Sequence, residues 1–167
     1  PNKSLKMRVA AGAILHNLYL RCRSSDSNQL HAMDIDIADS DSQMVGYVES
    51  LAYRVKNSKT KEMKTTFLPM CGPAFGLASD YFKVSWAVKW NELRKQSGLT
   101  EFPSSKTLSG KPLLEKPLVL LNRIDSEGEW VEALSDSENL SRAIRSILLD
   151  MGFDGNKLEK ISSHSLK

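Results

Sequence analysis

The sequence predicts an α+β domain: an antiparallel sheet with two amphipathic helices packed on one face. Three observations predict it. Met33, Ile35 and Ile37 alternate with Asp34 and Asp36, the pattern of a half-buried strand. Met44, Val45, Val48, Leu51, Ala52 and Val55 recur at helical spacing, and so do Leu140, Ile144, Ile147, Leu148 and Met151. Phe82, Val84, Trp86, Val88 and Trp90 alternate strictly, which suits a strand with its aromatic face in the core.

Taken in order, the elements are as follows. The segment Leu5 to Cys22 is ambiguous. Leu5, Met7 and Val9 alternate, as do Leu18, Leu20 and Cys22, yet Ala10 to Leu15 suits a helix. Residues 1–30 therefore remain an uncertain N-terminal segment. Ser24 to Asn28 reads as a turn. After the 33–37 strand, Ser40 and Gln43 form a capping box, which predicts a helix from Ser42 to Asn57. Arg54 and Lys56 in its last turn suit the helix dipole. A basic turn leads to a strand from Met63 to Met70. The run Pro69 to Asp80 is irregular yet apolar, so it either tucks into the core or is offered to a partner. The strand Phe82 to Trp90 follows, then a long connection, Arg94 to Lys116. Pro117 to Leu121 reads as a buried strand with Glu129 to Leu134 as its hairpin partner. Ser135 and Glu138 form a second capping box before the last helix, which Gly152 stops. The tail, 156–167, is polar and peripheral.

At 167 residues and 41% hydrophobic, the chain suits one domain with one core. No stretch approaches the roughly 20 apolar residues of a membrane helix. A start at Pro1 is read as the ordered part of a longer protein with an arm before it. Cys22 and Cys71 are expected as two reduced thiols rather than a disulfide framework.

Catalytic and metal motifs are missing. His16, His31 and His164 have no metal-ligand partner at three or four residues, and His16 and His31 are read as structural. There is no nucleophile elbow, P-loop, dinucleotide fingerprint or paired-cysteine motif. Asp34, Asp36, Asp39 and Asp41 lack the central Gly and terminal Glu of a calcium loop, so they are read as a wet strand face and a helix start. No cofactor is expected, and the protein is read as a non-enzyme.

Charge is the remaining signal. The net charge is +3 and the pI near 8.9. Arg54, Lys56, Lys59, Lys61 and Lys64 cluster against a single Glu62. Arg94, Lys95 and Lys106 belong to a second basic set, with Lys111 and Lys116. Asp125 to Glu138 is acidic and carries no base. Cations without interleaved aromatics point to a phosphate-bearing surface rather than to a base sequence.

The order of elements and the apolar loop resemble the globular domain of rhabdovirus matrix proteins, as a divergent member. The matching run is His31 to Ile37, Ser42 to Asn57, Met63 to Met70, Pro69 to Asp80, Tyr81 to Trp90, Pro117 to Leu121 and Leu140 to Met151. The family's Pro-Pro-x-Tyr and Pro-Ser/Thr-Ala-Pro budding signatures are absent. The resemblance implies a structural role in the virion and in host cytoplasm, at membranes and in the nucleus. The protein would assemble with itself as a helical homo-oligomer, condense the viral nucleocapsid and bridge it to the anionic inner leaflet. The basic residues would meet nucleocapsid or lipid, and Pro73, Phe75 and Leu77 would meet the next subunit. The alternative reading is an RNA-binding viral protein of nucleocapsid or silencing-suppressor type.

Overall fold

A computed structural model describes residues 4–27, 29–37, 46–57, 63–75, 85–104, 122–124, 130–134 and 137–162. Helices α1 (Leu5–Tyr19), α2 (Ser24–Ser27), α3 (Trp86–Gln96), α4 (Ser137–Asp150) and α5 (Gly155–Leu158) combine with strands β1 (Leu30–Ile37), β2 (Gly46–Asn57), β3 (Met63–Pro73), β4 (Asn122–Ile124) and β5 (Trp130–Leu134). Strands β1, β2 and β3 form an antiparallel sheet in that order, and β4 pairs with β5. The fold is α+β, as the sequence predicts.

The ambiguous N-terminal segment is a helix. Ser4 caps it, its Oγ accepting from the Met7 amide at 3.3 Å. Val9, Ala10, Ala13, His16 and Asn17 are all buried, because α1 contacts α3, α4 and β3. A helix covered on several sides has no simple polar face, which is why its periodicity is weak in the sequence. Its small residues allow close approach. A Cβ at Gly12 would run into the Trp90 indole, and one at Gly72 would lie 2.7 Å from the Tyr19 carbonyl.

Two elements differ from expectation. Residues 46–57, read as a helix, form a strand. Val48, Ser50 and Ala52 are buried in alternation, and the strand pairs along its whole length with β3, from Tyr47↔Pro73 to Asn57↔Met63. That long hairpin supplies backbone partners that outweigh a helical spacing of apolar residues. The region from Ser85 is the reverse case. Ser85 is an N-cap, its Oγ accepting from Val88 N at 3.2 Å and donating to the Ala74 carbonyl at 2.8 Å. Ala87, Trp90, Leu93 and Arg94 are buried at helical spacing, whereas Val88 is 38% exposed. The alternation of 86, 88 and 90 is incidental to a helix whose buried stripe continues to residue 94. Trp86 and Trp90 still belong to the core cluster or pack against it.

Other expectations hold wholly or in part. The 33–37 strand lies within β1 and the 63–70 strand within β3, but β3 runs on to Pro73, so residues 69–73, read as irregular, are strand paired with β2, and residues 76–80 of that run lie outside the described residues. The final helix is α4, and Gly152 ends it at φ +89°. The strand read at 129–134 is present as β5, Trp130–Leu134, but the strand it pairs with is β4, Asn122–Ile124. The strand expected at 117–121 lies outside the described residues. Ser24–Ser27 is a helical turn instead of a simple turn, and the tail is less peripheral than its polarity suggests, since Leu158 is buried and Ile161 packs on the core.

Leu30, Met33, Val48, Ala52 and Met70 from the sheet meet Ala10, Ala13, Ala87, Trp90, Leu140 and Ile144 from the helices in one core. The opposite face of the sheet is more open, with Pro69, Cys71 and Pro73 exposed and Asp34 and Glu49 half-buried across from one another. Asp34 and Asp36 therefore lie on the wetter face, as expected.

Candidate functional site

Among the described residues, a constellation of histidine, cysteine and serine begins at the end of α1. Arg21 takes a left-handed conformation, φ +50°. This closes a Schellman motif, with the Cys22 amide donating to the Asn17 carbonyl at 3.2 Å and the Arg21 amide to that of Leu18 at 3.4 Å. The chain folds back and brings Cys22 over His16 and Asn17. Cys22 Sγ donates to Asn17 Oδ1 at 2.9 Å and lies 3.7 Å from His16 Nδ1. Ser27 Oγ also donates to Asn17 Oδ1. On its other side His16 Nε2 stands 2.8 Å from Ser50 Oγ. With the thiol proton directed to Asn17, the consistent neutral tautomer carries its proton on Nδ1 and accepts from the Ser50 hydroxyl at Nε2.

A serine beside a histidine invites a nucleophile–base reading. The environment argues against it. His16 is 0% exposed and Ser50 1%. Burial holds the imidazole down to about 3, so it is a poor base near neutrality. Burial pushes the Cys22 thiol up to about 11, which keeps it protonated and weakly nucleophilic. These groups satisfy one another in a sealed junction between α1, the 22–27 turn and β2. Both cysteines are free thiols, as expected. No group of three His, Cys, Asp or Glu among the described residues could hold a metal ion. A shallow depression between α4 and α5, lined by Arg145, Ser146, Leu149, Gly155, Leu158 and Glu159, contains no histidine or cysteine.

The basic residues fall into two groups with different fates. Arg94 is not part of a cationic surface. It is 3% exposed, with its guanidinium 5.4 Å from the Trp90 ring centroid and 4.6 Å from that of Phe102. Its Nη2 donates to the Thr100 carbonyl at 3.1 Å. It pins the chain after α3, and burial lowers its pKa to about 10. Lys95 is exposed and pairs with Glu101 at 3.0 Å. Lys106 lies outside the described residues.

The other group sits on an arm. β1 pairs with β2 from Gly46 to Ala52 only, whereas β3 follows β2 to its end. From Tyr53 to Asn57 and from Met63 to Phe67 the sheet is therefore a two-stranded ribbon among the described residues. Register places Lys56 directly opposite Lys64 and Arg54 opposite Thr66. These positions share one face, because opposite residues and alternate residues of an antiparallel pair do. Tyr53 opposite Phe67, with Val55 opposite Thr65, form the other face. Lys59 and Lys61 lie outside the described residues. The sequence shows the charge; only the strand pairing shows that it is carried on a ribbon.

The expected subunit contact divides similarly. Phe75 is buried in the chain's own core, so it does not offer the exposed contact expected of it. Pro73 is exposed, and its carbonyl accepts from Trp86 Nε1 at 3.0 Å. Leu77 lies outside the described residues. Leu149, Met151 and Phe153, at the end of α4, are the more exposed apolar group, at 57%, 62% and 53%. Among the described residues no helix is long and apolar enough to cross a membrane.

The chain matches no protein-family model, no curated protein and no solved structure.

Proposed function

We propose that this is a structural, assembling protein that binds the phosphates of a nucleic acid or a nucleocapsid through the β2–β3 arm. The observation that carries the reading is the register of Lys56 against Lys64. Like charges directly opposite on an antiparallel pair cost up to about 1 kcal/mol. Five bases stand against one acid between Arg54 and Lys64. A polyanion offsets that repulsion, and cations on a two-stranded ribbon meet phosphates without needing a pocket.

The matrix-type role, in which the protein condenses a helical nucleocapsid and bridges it to an anionic leaflet, is the fuller form of this proposal. Its support beyond the arm is the exposed group Leu149, Met151 and Phe153, which offers a second, apolar surface for another copy or for a membrane. On that reading the protein resides in virions and in host cytoplasm, at membranes and in the nucleus. The elements that carried the resemblance at 46–57 and 86–90 have other secondary structure, so the arm and not the element order supports the role.

The test is binding of the full chain to labelled RNA over a range of salt. The logarithm of affinity falls linearly with the logarithm of salt concentration. Lys56→Glu with Lys64→Glu lowers affinity and reduces the slope by about 1.4, at ~0.7 per phosphate contact of a single strand. Unchanged affinity and slope in a folded double variant would overturn the reading.

A further inference from the structure

We infer that the arm's preferred partner is a double helix rather than a single strand, an inference that rests on the polyanion-binding reading above. Proteins that hold single strands combine cations with aromatic rings in one groove, so that bases stack while phosphates pair. The β2–β3 arm separates these two kinds of residue. Arg54, Lys56 and Lys64 fall on one face of the ribbon, and Tyr53 and Phe67 fall on the other. A single strand lying on the basic face gains no stacking, and one lying on the aromatic face gains no charge.

The basic face suits a groove with two phosphate walls. Arg54 and Lys56 belong to β2 and Lys64 to β3, so cationic positions flank the ribbon axis on both sides. Two strands lie about 4.8 Å apart, and a five-residue arm is roughly 15 Å long at about 3.4 Å per residue. A ribbon of that width enters the major groove of B-form DNA, which is about 12 Å wide. The wide, shallow minor groove of an A-form duplex also accepts it, whereas the A-form major groove does not. A single strand presents one line of phosphates and leaves one side of the ribbon without a partner.

Competition binding of the full chain decides it, with a duplex and one of its component strands at equal length and equal salt. The duplex is expected to bind at least ~10-fold more tightly. In Lys56→Ser with Lys64→Ser, checked by circular dichroism for an intact fold, that preference is expected to shrink towards parity. In Tyr53→Ser, duplex affinity is expected to stay unchanged. Equal or tighter binding of the single strand overturns the inference and leaves the polyanion reading standing. So does a Tyr53→Ser loss confined to single-strand affinity if that affinity starts out the higher. Binding to neither probe overturns both.

Discussion

The indole of Trp90 occupies the space that a Cβ on Gly12 would need, and its Nε1 donates to the Val9 carbonyl at 3.0 Å. This joins α3 to α1 through one aromatic residue and one missing methyl. Gly12→Ala is expected to destabilise the protein by up to about 2 kcal/mol, since the added Cβ would run into the Trp90 ring. Overpacking costs ~1–3 kcal/mol, and the better helix propensity of Ala returns only ~1. Urea denaturation of both proteins measures the difference.

His16 gives the fold an acid-side weakness. In the unfolded chain it titrates near 6.5, and in the fold at about 3. Between those values the unfolded state binds more protons, so stability rises with pH, by up to about 1.4 kcal/mol per unit. The contribution is complete above 6.5 and is lost as pH falls through the window. His16→Gln should flatten the pH dependence of the denaturation midpoint there. Burial lowers the pKa of His31 too, so a residual slope of the same sign should remain.

The two thiols should react at different rates. Cys71 is exposed, whereas Cys22 is half-buried, bonded to Asn17 and held protonated. Alkylation at mildly alkaline pH, followed by peptide mass spectrometry, should label Cys71 at least ~10-fold faster. Equal rates would mean that the 22–27 turn opens readily.

Arg94→Lys should lower stability by about 1–3 kcal/mol, because an ammonium cannot cover Trp90 and Phe102 while donating to Thr100. The same variant should leave RNA affinity and its salt slope unchanged, since Arg94 is buried. A change in slope would return Arg94 to the binding surface.

Arg21→Gly should stabilise the fold by up to about 1 kcal/mol. Arg21 stands at φ +50° where the Schellman motif after α1 favours glycine. Thermal denaturation reads the gain directly.

The two misread elements have a common physical cause. Over residues 44–55 the apolar positions satisfy a helical period, yet the even positions 48, 50 and 52 also satisfy a strand, and pairing with β3 chooses between them. Over 82–90 the alternation satisfies a strand, yet 87, 90, 93 and 94 satisfy a helix, and the packing of Trp90 on Gly12 chooses. Short apolar runs support both periods, and the partner that decides lies far away in the chain. Where the partner matters less, as in α4 with its strong amphipathic spacing and Gly152 stop, the sequence is sufficient.

The candidate site divides the same way. The cluster of bases from Arg54 to Lys64, the two free thiols and the absence of catalytic motifs are properties of composition and spacing, which need no fold to be read. That Arg94 leaves the basic surface, that Phe75 joins the core, and that His16, Cys22 and Ser50 meet are decided by the tertiary structure alone. Burial and proximity between distant residues come from packing, and no local pattern encodes them.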